Sequence, residues 1–256
     1  EEVTDIRIPG VAFDMSTWKV HCLTEDNQGN IWVGAYQTGI MVIPESMYGF
    51  DFIQLGESGY LGTAGACVTS MAADKINGCL WVGTDGKGLY RIDSKGEKTL
   101  YSSANSGLSN NSIMGLAIDR RGTLWVATYL GGLYTWTEKT GFRQFSDQAS
   151  IGTNKTSFLV YSERDDILYT GTHGSGLALV SAGEEKVINT LTDDYHKWIS
   201  SLYLDKDGKV WLGTYNGPAT YDRKSGKTKR YDDHESLSTR VYSFCESVDG
   251  RMWIGT

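Results

Sequence analysis

Three tyrosines, a histidine and an aspartate occupy one recurring place in the sequence. Tyr36, Asp85, Tyr129, His173 and Tyr215 each stand four residues after a repeated aromatic residue: Trp32, Trp81, Trp125, Tyr169 and Trp211. Tyrosine rings stack on sugar C–H groups, and hydroxyl, imidazole and carboxylate groups exchange hydrogen bonds with sugar hydroxyls. Such residues around one mouth offer carbohydrate-site chemistry. A second set, Lys19, Ser112, Thr156, Trp198 and Arg240, precedes the first strand of the repeated unit. Trp198 adds a stacking platform, and Lys19 and Arg240 suit the acid group of an acidic sugar. The candidate ligand-binding residues are therefore Tyr36, Asp85, Tyr129, His173, Tyr215, Trp198, Lys19 and Arg240. The competing expectation is that the tyrosines pack against neighbouring units and only their hydroxyls reach water.

Catalytic chemistry has less behind it. His173 and His196, with Asp193 and Asp194 nearby, suggest a metal or acid–base pair. No HxH, HExxH or Cys/His spacing accompanies them, and such spacing is what gives a metal motif its specificity. No phosphate-cradling glycine loop opens a helix, and no helix is expected. Catalytic residues, metals and cofactors are all assigned as none. Cys22, Cys67, Cys79 and Cys245 form no CxxC pair and are expected to be free thiols.

The elements that must hold these side chains are read from the repeat. Gly-Asn-Ile-Trp32-Val-Gly-Ala, Gly-Cys-Leu-Trp81-Val-Gly-Thr, Gly-Thr-Leu-Trp125-Val-Ala-Thr, Ile-Leu-Tyr169-Thr-Gly-Thr, Gly-Lys-Val-Trp211-Leu-Gly-Thr and Gly-Arg-Met-Trp253-Ile-Gly-Thr are six copies of one motif. Their spacing, a little over forty residues, is that of propeller blades. Each copy reads as four short strands: an apolar first strand, an Asp/Gly turn, a second strand carrying the Trp motif, a third opening with Gly-Leu, and a polar turn into a fourth. The fold is expected to be all-β, a propeller of four-stranded antiparallel blades with six repeats in a six- or seven-bladed ring. The blades are placed at about 20–56, 68–103, 113–147, 157–192, 199–233 and 241–256. Together they form one propeller domain or most of one. The last copy stops within its motif, so the chain is read as an excerpt, and residues 3–8 are expected to supply a closing strand. The segment 56–66 is a candidate specificity loop.

Composition narrows the partners. With 24 Lys+Arg against 31 Asp+Glu, the net charge is −7, which argues against nucleic acid. No apolar run is long enough to cross a membrane.

The signature Asp-x-x-Gly-x-φ-Trp-φ-Gly-Thr-x-x-x-Gly-Leu, where φ is apolar, is fullest at Asp119 to Leu133, with related forms at Asp26 to Ile40 and Asp74 to Leu89. It resembles the two-component regulator propeller repeat. It fits that repeat better than the sialidase Asp box or the streptogramin-lyase propeller. The resemblance implies the periplasmic sensor region of a hybrid histidine kinase that controls glycan-utilisation genes. The kinase and inner-membrane anchor would then lie outside this sequence, and a homodimer of the full-length protein is a further expectation. The expected function is non-catalytic sensing of an oligosaccharide. The alternative is a protein-interaction or dimerisation platform, with a propeller lyase or glycosidase behind both.

Overall fold

The computed structural model describes residues 19–36, 39–43, 51–53, 55, 66–231 and 239–256. The first blade comprises β1 (Val20–Glu25), β2 (Ile31–Ala35), β3 (Gly39–Ile43) and β4 (Asp51–Ile53). The second comprises β5 (Cys67–Asp74), β6 (Cys79–Asp85), β7 (Gly88–Asp93) and β8 (Lys98–Tyr101). The third comprises β9 (Ile113–Ile118), β10 (Leu124–Thr128), β11 (Gly132–Thr137) and β12 (Gly141–Gln144). The fourth comprises β13 (Thr156–Ser162), β14 (Ile167–Thr172), β15 (Leu177–Ser181) and β16 (Lys186–Leu191). The fifth comprises β17 (Ile199–Leu204), β18 (Val210–Thr214), β19 (Gly217–Asp222) and β20 (Lys227–Arg230), and a final hairpin pairs β21 (Ser243–Glu246) with β22 (Met252–Gly255).

Each blade is an antiparallel meander whose strands pair in chain order. The first strands β1, β5, β9, β13, β17 and β21 pack one against the next, which is the propeller arrangement. Among the described residues there are five four-stranded blades, and the sixth repeat is a two-stranded hairpin. The complete blades therefore number five, not six, and 241–256 forms the first two strands of the sixth copy. The closing strand expected at 3–8 and most of the segment 56–66 lie outside the described residues. A second correction is α1 (Gln148–Ile151), one helical turn between the third and fourth blades. Its Gln148 accepts a hydrogen bond from Leu133 N–H and donates one to the Thr153 carbonyl, each at 2.7 Å.

Close stacking of blades explains the motif glycines. A Cβ on Gly83 would lie 2.7 Å from Ile113 Cγ2 on the next blade, and one on Gly171 would lie 2.6 Å from Ile199 Cγ2. Either contact would push the sheets apart. The buried layers between blades are apolar: Trp81, Leu89, Ile113, Leu124 and Val126 share one cluster, and Tyr169, Leu177, Ile199 and Leu212 share another.

The repeated Asp does more than shape a turn. Asp119 Oδ1 accepts from the Arg121 and Thr123 N–H groups at 2.8 and 3.0 Å, while Oδ2 accepts the Trp125 indole N–H at 3.2 Å. Asp26 with Trp32, Asp74 with Trp81 and Asp205 with Trp211 repeat the bracket at 2.9, 3.3 and 3.0 Å. A buried indole needs a partner for its N–H, and the hairpin carboxylate supplies it. In the fourth blade Tyr169 replaces the Trp; its hydroxyl is buried without a partner, and burial pushes its pKa up to about 12.

Candidate ligand mouth

The motif threonine fixes the loop between strands two and three. Thr84, Thr128, Thr172 and Thr214 each donate Oγ1–H to the carbonyl of the glycine across that loop, Gly88, Gly132, Gly176 and Gly217, at 2.6 to 2.8 Å. The next residue in each copy, Asp85, Tyr129, His173 or Tyr215, is thereby held at the loop mouth. The first blade has Ala35 at the threonine position and Tyr36 after it. Backbone bonds join this outer ring to an inner one: Tyr36 N–H to Lys19 O, Tyr129 N–H to Ser112 O, His173 N–H to Lys155 O and Tyr215 N–H to Trp198 O, at 2.8 to 3.3 Å. In the second blade Asp85 pairs with Cys67.

These bonds correct one inner-ring position. The residue equivalent to Lys19 and Trp198 in the fourth blade is Lys155, not Thr156. β13 starts one residue earlier than its apolar pattern indicates and carries a bulge between Thr156 and Phe158. Thr156 is buried and donates its hydroxyl to the Thr128 carbonyl at 3.1 Å. The other four blades have the same bulge near the start of the first strand, where an extra residue re-aims what precedes it. Lys155 was missed because Thr156, unlike Val20, Ile113 and Ile199, gives no apolar signal for a strand start.

Five of the predicted residues come together across three blades and the last hairpin. The His173 ring centroid is 6.4 Å from Tyr129, 6.0 Å from Trp198 and 6.3 Å from Tyr215, and Trp198 is 6.0 Å from Tyr215. The Arg240 guanidinium lies over Tyr215 at 4.3 Å and over Tyr242 at 4.9 Å. Tyr129 and Tyr215 are 40% exposed and Trp198 41%, so each side chain is partly open to water. His173 Nε2 and Arg240 Nε are buried without a hydrogen-bond partner. Burial, with the charges of Arg240 and Lys155, holds the His173 pKa below the usual histidine value, so the ring is neutral at pH 7.

The remaining predicted residues stand apart from this cluster. Tyr36 stacks on His21 at 5.4 Å, with Lys19 Nζ 6.0 Å from its ring. Asp85 is exposed and makes no side-chain hydrogen bond or ion pair among the described residues. The second histidine has different surroundings: His196 is fully buried, and its Nδ1 sits 2.8 Å from the Asp193 carboxylate in the same loop. It therefore braces the loop that delivers Trp198.

A cavity of about 480 Å³ lies on the opposite face, among the hairpin turns, lined by Arg164, Asp165, Asp207, Lys209, Asp222 and Arg223. Its polar groups largely serve the turns themselves: Arg164 donates to the Asp207 carbonyl, and Asp222 accepts from Lys224 N–H and from Ser225. The mouth instead combines half-exposed aromatic rings with two buried nitrogens that have no partner.

The two-component regulator propeller family matches at residues 16–37, 107–130, 196–216 and 236–256. These four segments are two-component regulator propeller repeats. A curated relative, histidine kinase P4 of Formosa agariphila, is 28% identical over 162 residues, covering 59% of this chain but 12% of the relative. Among solved structures, the extracellular domain of a hybrid two-component system from B. thetaiotaomicron superimposes with a TM-score of 0.72 at 20% identity, over 93% of this chain and 32% of that one. A catalytically inactive virginiamycin B lyase from Staphylococcus aureus gives 0.74 at 14% identity, over 93% and 77%. At these identities the two structures share the regulator propeller's fold.

Proposed function

We propose that this regulator propeller is a non-catalytic, extracytoplasmic sensor module of a hybrid two-component system, and that it binds an oligosaccharide at the Tyr129–His173–Trp198–Tyr215 mouth. The carrying observation is that cluster: three half-exposed aromatic rings around an imidazole whose Nε2 has no partner. Rings of this kind take sugar faces, and the unpaired nitrogen takes a hydroxyl. The likeness to a histidine kinase and to the extracellular domain of a two-component system supports a sensing role outside the cytoplasm, in the periplasm if the parent is anchored in an inner membrane.

Calorimetric titration with a glycan panel tests the reading. An oligosaccharide should bind, and Tyr129→Ala with Trp198→Ala should weaken it about tenfold or more, taking about 0.5–1.5 kcal/mol per lost aromatic contact. Undiminished binding by the folded double variant would remove the ligand from this face. An interaction platform is the second reading, favoured by exposed Val20 and Leu23 on β1 and exposed Tyr242 and Trp253 near the last hairpin. It predicts concentration-dependent sedimentation and no glycan binding.

A further inference from the structure

We infer that the oligosaccharide taken by this mouth is anionic, carrying a carboxylate or a sulfate that docks between Arg240, His173 and Lys155. The inference rests on the reading of the mouth as an oligosaccharide site and adds the chemical class of the sugar.

Three observations converge on it. First, the inner ring is cationic in an acidic protein: the chain carries a net charge of −7, yet Lys19, Lys155 and Arg240 occupy three of the inner-ring positions. The one carboxylate in either ring is Asp85, in the second blade. The overall charge opposes a long polyanion such as nucleic acid, whereas a short acidic sugar meets only the local field.

Second, these cations are kept without counterions. Among the described residues Lys19, Lys155 and Arg240 pair with no carboxylate. On the turn face some cations are paired, Arg91 with Glu138 at 3.2 Å, Arg121 with Asp166 at 2.9 Å, Arg143 with Glu185 at 3.1 Å and Lys206 with Glu246 at 3.5 Å, each bridging neighbouring repeats, while turn lysines such as Lys209 stand exposed to solvent; what sets the mouth apart is that the Arg240 Nε is buried.

Third, the mouth holds two buried nitrogens without a partner. Arg240 is clamped over Tyr215 and Tyr242, and its Nε is buried without a partner, as is Nε2 of His173. An unpaired buried donor is costly. An anionic oxygen at Arg240 Nε would satisfy that donor by a charge-assisted bond, and His173 Nε2, protonated as the anion binds, would donate to a second oxygen. Lys155, whose carbonyl accepts from His173 N–H at 3.0 Å, approaches from the adjoining strand start. The sugar ring would then rest on Trp198 and Tyr215.

The test compares matched probes on the intact chain by calorimetry: oligogalacturonate against its methyl ester, and a chondroitin sulfate tetrasaccharide against its desulfated form. The carboxylated and sulfated arms identify the source of the charge. One acidic probe should bind at least about tenfold more tightly than its neutralised or desulfated partner. Arg240→Gln and Lys155→Gln should each erase about tenfold of that preference, whereas Lys206→Gln on the turn face should leave it unchanged. Circular dichroism establishes that the variants are folded. If neutral oligosaccharides bind as well as acidic ones, the sugar site stands and the anionic inference falls. If no acidic or neutral oligosaccharide binds at millimolar concentration, the sugar site itself falls, and the inference with it.

Discussion

The two faces of this propeller handle polar groups in opposite ways. On the turn face, Asp119 binds two backbone N–H groups, the Trp125 indole and Arg121, and Arg121 in turn binds Asp166 of the next blade. The Asp166 carboxyl is held at a pKa of about 2 by hydrogen bonding to Arg121 and Tyr161, against the cost of desolvation. On the mouth face, Arg240 and His173 have buried nitrogens with no partner, and three aromatic side chains are partly open to water. Satisfied polar groups hold a fold together, whereas an unsatisfied one beside half-exposed aromatic rings is where the proposed ligand would find its partner. The same repeat builds both faces: its constant positions make the brackets, and the position after the threonine, which varies between copies, makes the mouth.

The contrast yields predictions that run from large to small. Trp125→Ala removes a fully buried side chain from beneath Phe145 and should cost about 3–5 kcal/mol in chemical denaturation. Asp119→Ala leaves the indole N–H and two turn N–H groups without their acceptor and should cost about 2 kcal/mol, with the mouth's ligand affinity retained. Tyr129→Ala, at a half-exposed ring, should cost less than about 1 kcal/mol of stability while affecting binding. Equal stability losses from Asp119→Ala and Tyr129→Ala would erase the distinction between the faces.

His173 adds a pH signature. Its pKa is lower in the folded chain than the usual histidine value near 6.5, so between those two values the unfolded chain binds more protons. Its contribution to stability is therefore complete above about pH 6.5 and is lost as pH falls from there toward the folded value. Denaturation midpoints should fall slightly from pH 7.5 to 5.5, and His173→Gln should flatten that component. An anion at the mouth would offset the positive charges around the ring, so its binding should take up protons in this window.

The smallest effect belongs to the sixth repeat. Ser247 stands where other copies have the bracketing Asp, and Trp253 is 57% exposed whereas Trp125 is fully buried. Ser247→Asp should therefore add at most about 0.5 kcal/mol, since an exposed indole already bonds to water.

Much of this was legible in the sequence, for physical reasons. The inner strands Val20–Glu25, Ile113–Ile118 and Ile199–Leu204 fall at the expected positions; the last two carry the apolar or small side chains that a strand covered by neighbouring blades requires. The motif glycines were legible as points of close blade contact. The second job of the motif Asp was not, since the bond to Trp125 spans a hairpin and leaves no mark beyond the spacing. Lys155 was hidden by the bulge in β13, and the helical turn at Gln148–Ile151 was too short to show a period. The stacking of Arg240 on Tyr215 joins two repeats, so no pattern within one copy reveals it.

The most direct test is a structure of the chain bound to the tightest acidic oligosaccharide of the panel. The account predicts a sugar ring against Trp198 and Tyr215 with its carboxylate or sulfate within hydrogen-bonding distance of Arg240 Nε and His173 Nε2. A ligand seated instead among the hairpin turns, against Arg164 and Arg223, would contradict it.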